Sequence, residues 1–230
     1  MNPYPLGSNS DFMALAIFDL DNTLLGGDSD YLWGQFLIEQ GLVDGEHYER
    51  ENQRFYDEYR AGALDIHAFL MFMLRPLAEH PLPELLAWRE RFLEEKIQAI
   101  LLPKADELLD RHRTAGDTLL IITATNRFIT APIAERLGVP HLLASEPELI
   151  DGRYTGRPTG IPCFQHGKVE RLAAWLTETG GDLAESWFYS DSHNDLPLLD
   201  QVTYPVAVDP DATLAHHARE RGWPIISLRD

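Results

Sequence analysis

With one cysteine in 230 residues, the chain cannot close an intramolecular disulfide, and Cys163 fits a reducing compartment. Long apolar runs are missing too: none approaches the ~20 residues that a membrane-spanning helix requires. The opening stretch MNPYPLGSNSDF carries no basic patch ahead of an apolar segment, so no signal peptide is expected. Positive charge is scarce, with 19 Lys and Arg against 37 Asp and Glu and a formal net charge of −18. A chain this acidic repels phosphate backbones and anionic lipid, which argues against nucleic acid and membrane as partners. An anionic substrate would need a cation or a few local positive groups to offset that field. GxGxxG, the Walker loop, HExxH, GxSxG and paired CxxC are all absent, which removes the function classes those motifs carry. The expectation is a cytoplasmic protein without internal repeats or low-complexity tracts.

What is present has the proportions of a globular protein, 44% hydrophobic and 24% charged. Its length suffices for one large domain or a domain with a substantial insertion. Residues 1–12 read as an irregular lead-in and 14–20 as a short buried strand. From Ser29 to about Leu101 the periodicity is helical, with helices near 29–40, 46–60, 65–78 and 83–100 punctuated by Gly41, Gly62 and the Pro81/Pro83 pair. After Pro103 the pattern alternates. Helices are expected at 104–115, 127–137, 166–179, 194–200 and 211–221, and strands at 118–122, 141–144, 186–190, 204–208 and 224–227. Asp151-Gly152 predicts a hairpin or flap over 146–160. Such alternation implies an α/β fold, a mostly parallel, Rossmann-like sheet with helices on both faces. The all-helical stretch follows the first strand and reads as an inserted cap domain over 28–101, with the core formed by 14–27 and 102–230.

In parallel sheets, ligands bind beyond the carboxyl ends of the strands. Three predicted strands end there in reactive residues: Asp19 and Asp21 after the first, Thr123 after the second, and Asp191, Asn194 and Asp195 after the fourth. Lys168 opens a helix between the last two. Asp19 and Asp191 suit a hard divalent cation such as Mg2+. Asp19 can attack phosphorus, and Asp21, on the same side of an extended backbone, can act as general acid. Thr123 can donate to a phosphoryl oxygen and Lys168 can offset the charge developing there. Singly, each has a plainer reading: a DxD pair in a solvated loop, Thr123 and Asp191-Ser192 as helix caps, Lys168 as a surface lysine. Their joint order at separate strand ends favours chemistry.

DLDNT at 19–23, Thr123, Lys168 and DSHND at 191–195 together resemble the four motifs of the haloacid dehalogenase (HAD) superfamily, over about 14–228. The helical insertion is similar to the four-helix C1-type cap of its phosphoserine phosphatase-like subfamily. The resemblance implies Asp19 as nucleophile, Asp21 as general acid/base, and Mg2+ held by Asp19, the Asp21 carbonyl oxygen and Asp191. It places Asn194 and Asp195 around the metal's waters or Lys168. Aspartate at position 21 favours hydrolysis of phosphate esters over ATPase or dehalogenase chemistry.

The resemblance also bears on the substrate. Asp28 stands where phosphoserine phosphatases bind the substrate's amino group. Met73 stands where they supply an arginine for its carboxylate, and Arg75 lies about 200° further around the helix. Thr123-Ala124-Thr125-Asn126 replaces their serine-glycine-glycine run, narrowing the site and presenting Ala124, Asn126 and Arg127. The expected substrate is a small phosphorylated metabolite bearing an amine without a carboxylate, such as histidinol phosphate. The alternatives are phosphoserine, phosphotransfer as in a mutase, and a non-catalytic binding role. Asp28 reads equally as an N-cap. Met71 and Met73 read as cap core, Trp33 and Phe36 as core or pocket lining, and His216-His217 as surface. The sequence assigns no role to His193 and no oligomeric state.

Overall fold

The computed structural model describes residues 14–229; the lead-in read over 1–12 lies outside them. In chain order the elements are β1 (Leu15–Phe18), α1 (Ser29–Glu39), α2 (Gly45–Arg60), α3 (Ile66–Glu79), α4 (Leu82–Phe92), α5 (Pro103–Ala115), β2 (Thr118–Asn126) and α6 (Arg127–Arg136). There follow β3 (His141–Ile150), β4 (Arg153–Thr159), α7 (His166–Thr179), β5 (Trp187–Ser190), α8 (Leu196–Leu199), β6 (Tyr204–Val208), α9 (Ala212–Arg221) and β7 (Ile225–Ile226). The strands form one sheet in the order β4-β3-β2-β1-β5-β6-β7. Every pairing is parallel except the β3–β4 hairpin at one edge. This is the Rossmann-like, mostly parallel core that the alternation implied.

β1 lies at the centre, and its four apolar residues are buried on both faces, as a central parallel strand requires. Ala16 and Phe18 point into the layer that holds α5, α6 and the helical insert, whereas Leu15 and Ile17 point into the layer under α7, α8 and α9. Cys163 is buried in the second layer beside the Leu143 carbonyl, and burial pushes its thiol up to about 12. A thiol so held is chemically quiet.

The four insert helices begin within a residue of where the sequence placed them: Asp28, Asp44 and Asp65 cap the first three with a side-chain oxygen, and α4 starts at the Pro81/Pro83 pair without a side-chain cap. The helix read over 83–100 is α4 followed by a π turn (Leu93–Ile97) and a 3-10 turn (Gln98–Ile100). Just beyond it the outgoing chain lies against the incoming one: Leu25 bridges Leu101, and the Gly26 N–H donates to the Ile100 carbonyl at 2.7 Å. Two readings need correction. Met71 is exposed, facing away from the insert core that holds Met73. The strand read as 118–122 continues to Asn126, so Thr123 is a strand residue and not a helix cap.

The short strand read over 141–144 extends to Ile150 as β3, and the hairpin expected over 146–160 is present. β3 pairs in parallel with β2 and then antiparallel with β4, across an Asp151-Gly152 turn with φ of 48° and 76°. β4 leans on α3, where a Cβ at Gly156 would lie 3.1 Å from Ala78 Cβ.

Trp33 joins the insert to the core. Its ring stacks on Phe36 and meets Phe92 of α4 and Phe128 of α6 edge-on. Neither Trp33 nor Phe36 lines the cleft described below; both are core. Trp33→Ala should therefore destabilise the protein by about 3–5 kcal/mol, read as a lowered denaturant midpoint. A shift below roughly 1 kcal/mol would contradict this packing role.

Candidate active site

The carboxyl ends of β1, β2 and β5 meet in one cleft. Asp19 follows β1 directly, and its N–H donates to the Tyr189 carbonyl of β5 at 2.9 Å. The chain then leaves the strand direction: Asn22 takes φ 58°, a conformation that asparagine tolerates, and the N–H groups of Leu24 and Leu25 both return to the Leu20 carbonyl. Asp19 and Asp21, two residues apart, line one cavity before the chain turns away at Asn22. The Thr23 hydroxyl accepts the Asp191 N–H at 3.0 Å. It also lies 3.2 Å from Asp191 Oδ1 and 3.5 Å from Asp19 Oδ2, tying the ends of β1 and β5 together.

Lys168, in the first turn of α7, is buried among carboxylates. Its Nζ donates to Asp19 Oδ1 at 2.7 Å and to Asp195 Oδ2 at 2.8 Å. Burial pulls the ammonium down, but Asp19 and Asp195 more than offset it, so Lys168 is held above its ordinary value and stays charged. Its placement depends on a glycine: a Cβ at Gly167 would sit 2.0 Å from the Pro162 carbonyl oxygen. Asp195 is also fixed by the Ser190 hydroxyl at 2.7 Å. Asn194 accepts from Gln165 Nε2 at 2.9 Å and donates to the Tyr59 carbonyl at the end of α2, 3.1 Å away. His193 turns outward. Its Nδ1 lies 2.8 Å from Asp211 Oδ2, and its Nε2 abuts Gly62 of the helical insert.

Asp21 is held at the N-terminus of α1. Its Oδ1 accepts the Ser29 N–H at 2.7 Å and its Oδ2 accepts the Thr125 hydroxyl at 2.8 Å. Burial, and then the neighbouring Asp28, push its carboxyl up to about 6. Burial pushes Asp19 up to about 7, against the opposing effect of Lys168. Asp191 is raised well above the usual carboxylate range by burial and by Asp19 and Asp195. Acidic groups near neutrality are those suited to proton transfer at physiological pH.

These residues floor a cavity of about 70 Å³ whose outer wall is the helical insert. Asp19, Asp21, Thr123, Ala124 and Lys168 line the floor, and Asp28, Asp30, Tyr31, Asn52, Tyr56 and Tyr59 belong to the wall. Thr123 Oγ1 accepts the Thr125 N–H at 3.2 Å and retains its own hydrogen to donate. Asp28 has both roles the sequence allowed: Oδ1 caps α1 through the Tyr31 N–H at 2.9 Å, and the residue borders the cleft. Asp191 borders the adjoining outer cleft.

Three predicted substrate residues are placed elsewhere. Arg75 pairs with Glu79 at 2.8 Å on the outer face of α3, with 73% of its side chain exposed. Arg127 is tied to Glu146 and to the Leu142 carbonyl of β3, both at 2.8 Å. Asn126 is buried behind the cavity wall, where Nδ2 donates to Asp30 Oδ1 at 3.1 Å. Asp30, Asn52 and Thr125 were missed by sequence reasoning. A signal for Asn52 existed: it lies on the stripe Tyr48, Asn52, Phe55, Tyr59 of α2, a polar residue at a position that helical periodicity assigns to the interior.

A family model described as haloacid dehalogenase-like hydrolase matches residues 16–200. A histidinol-phosphatase of Neisseria meningitidis serogroup C is 46% identical over 219 residues, covering 94% of this chain and 99% of that protein. A phosphoserine phosphatase of Mycobacterium tuberculosis, SerB1, is 33% identical over 95% of this chain and 72% of its own. Among solved structures, a Bordetella pertussis Tohama I protein of unknown function superposes with a TM-score of 0.89 at 46% identity, covering 94% of this chain and 99% of the other. A substrate-bound phosphoserine phosphatase has the same fold, with a TM-score of 0.70 at 19% identity over 96% of this chain and 95% of the other. With its four motif regions gathered at one end of the sheet, the chain belongs to the haloacid dehalogenase-like hydrolase family and is a phosphatase within it.

Proposed function

We propose that the substrate is a small amine-bearing phosphate monoester, histidinol phosphate in particular, and that residues 28–101 act as a cap over a core of 14–27 and 102–230. The observation that carries this reading is the charge of the cleft. Lys168 is the only cation among its lining residues, and it is already engaged by Asp19 and Asp195. A substrate carboxylate, as in phosphoserine, would meet Asp28 and Asp30 in a lining that holds no arginine, since Arg60, Arg219 and Arg229 line the adjoining outer cleft instead. An ammonium would meet complementary charge. The 46% identity to a histidinol-phosphatase supports the same choice.

Asp19 attacks phosphorus, the phosphorus–alkoxide bond breaks, and protonated Asp21 gives its proton to the departing oxygen. Asp21, now a carboxylate, takes a proton from water as that water attacks the aspartyl phosphate. Cleavage then returns Asp19 and releases inorganic phosphate. Thr123 and Lys168 orient the phosphoryl oxygens and stabilise their developing charge.

The donor set fits Mg2+. Among the described residues no three His, Cys, Asp or Glu side chains are grouped so as to hold a metal ion by themselves, and Mg2+ favours one or two carboxylates with substrate phosphate and water. Asp19 and Asp191 are hard oxygen donors, and both are pushed up by burial and by their acidic neighbours, so the site is short of positive charge. Asp19, the Asp21 carbonyl oxygen and Asp191 would hold the ion, which supplies charge opposite the phosphoryl oxygens when bound. Among the described residues no helix is long and apolar enough to cross a membrane, and the buried thiol Cys163 suits a cytoplasmic location.

A panel of histidinol phosphate, phosphoserine, sugar phosphates and nucleoside monophosphates tests the proposal by phosphate release. The expected kcat/KM for histidinol phosphate exceeds that for phosphoserine by roughly 100-fold, the cost of leaving a carboxylate unpaired. Chelation should remove activity and Mg2+ restore it. A preference for phosphoserine, or activity that survives chelation, would overturn the corresponding part.

A further inference from the structure

Gln165 stands just before α7 at φ 48° and ψ −120°. Three of the other four non-glycine residues at positive φ among the described residues, Asn22, Asp151 and Asp209, have the short polar side chain that tolerates it. Glutamine does not, and its negative ψ also puts Gln165 outside the left-handed helical region. Glycine would hold this conformation without strain. A glutamine kept there calls for a role that its side chain performs.

The strain sits at a junction. The Gln165 carbonyl accepts the Lys168 N–H at 3.1 Å, and the Phe164 carbonyl accepts the Gly167 N–H at 2.8 Å, so this turn sets out the first residues of α7. In the other direction, Gln165 Nε2 donates to Asn194 Oδ1 at 2.9 Å. Asn194 is buried and its amide is committed on both sides: Nδ2 donates to the Tyr59 carbonyl at 3.1 Å and lies 3.3 Å from Ser192 Oγ. A backbone carbonyl can only accept, so Tyr59 fixes which way the Asn194 amide faces and leaves its oxygen for Gln165. The Tyr59 carbonyl belongs to the last turn of α2, where the helix ladder leaves carbonyls over, and it accepts the Gly62 N–H at 3.0 Å as well. The Tyr59 ring meets that of Phe164 at 6.0 Å, and the residue borders both the substrate cavity and the outer cleft. Phe164 and Gln165 thus hold the end of α2 twice, the first by ring contact and the second through Asn194.

We propose that Gln165 is a positioning residue that holds the end of α2 over the floor of the cleft, acting through Asn194 on the Tyr59 carbonyl, and that the strain in its backbone is kept for this contact. The proposal rests on the reading of 28–101 as a cap and holds whichever ester is hydrolysed. It gives Asn194 a bridging role between core and insert, beside the one that the motif resemblance implied.

Two variants of the whole enzyme separate strain from contact. Gln165→Gly removes both, whereas Gln165→Met keeps the strain and the side chain's length and removes only the amide. Each should lower kcat/KM on 4-nitrophenyl phosphate by roughly three- to tenfold, the loss of one hydrogen bond. Amide hydrogen exchange at residues 59–64 should quicken by a similar factor, which a defect confined to α7 would not produce. The thermal midpoint should be higher for Gln165→Gly than for Gln165→Met, because only glycine relieves the strain. On an Asn194→Ala background either change should add less than about twofold, since the contact is already gone. Unchanged exchange at 59–64, unchanged kcat/KM, or full additivity with Asn194→Ala would overturn the role of Gln165. A higher midpoint for Gln165→Met would overturn the claim of strain. The cap reading has its own readout in wild type: Mg2+ with orthovanadate, a phosphate analogue, should slow exchange across 28–101. Without that protection the cap reading falls, whatever the variants do; with it, variants that match wild type sink the Gln165 proposal alone.

Discussion

Asp19→Asn is expected to lower kcat on every phosphate ester by at least about 10⁴-fold, because an amide cannot replace the attacking carboxylate and no second carboxylate acts as a substitute nucleophile. The fold should survive. Asp19 is buried and its carboxyl is pushed up to about 7, so removing its charge relieves a cost, and Lys168 keeps Asp195 at 2.8 Å. The thermal midpoint of the variant should equal or exceed that of wild type. Rapid quenching with phosphate-labelled substrate gives the sharper readout, since wild type should carry label on the protein and Asp19→Asn should carry none. Residual turnover within about 100-fold of wild type would remove Asp19 from the nucleophile's role.

Asp21→Asn should show a leaving-group dependence instead of uniform loss. Alkyl phosphates need a proton delivered to the departing alkoxide, and their kcat/KM should fall by about 10²–10⁴-fold. Nitrophenolate departs without one, so 4-nitrophenyl phosphate should lose at least roughly tenfold less. Asp21 suits this role because burial, with Asp28 next, pushes its carboxyl up to about 6, so that protonated and ionised forms are both accessible near neutral pH. The Ser29 N–H and Thr125 hydroxyl hold both its oxygens, which fixes the carboxyl for transfer. An equal loss for alkyl and aryl esters would mean that Asp21 does not deliver the proton. Burst kinetics on the aryl ester, where the first step survives, would locate the remaining defect in attack by water.

The difference between what could be read and what could not follows from the range of the interactions involved. The apolar run before Asp19, the helical periodicity from Ser29 to Leu101 and the alternation after Pro103 are local patterns, and they gave the sheet, the inserted helices and the strand ends that hold Asp19, Thr123 and Asp191. The Asp28, Asp44 and Asp65 caps are local as well, each bonding an N–H two or three residues on. Arg75 and Arg127 were misplaced because a side chain's partner is not local. Glu79 lies one turn from Arg75 on the solvent side, and Arg127 meets Glu146 on the neighbouring strand β3. The plainer reading of Thr123 as a cap, suggested by TATN before a helix, fails because pairing of Thr123 with Ala144 keeps it in β2.

The sequence alone therefore determined the α/β architecture, the position of the helical insert and the residues that floor the cleft, because strand and helix periods and contiguous motifs are carried by neighbours in the chain. Only the tertiary structure decided what faces that floor. Asp30, Asn52 and Asn126 come from α1, α2 and the end of β2, and they meet only once three separated segments pack together. Such contacts are a property of that packing, and no periodicity in the chain encodes them.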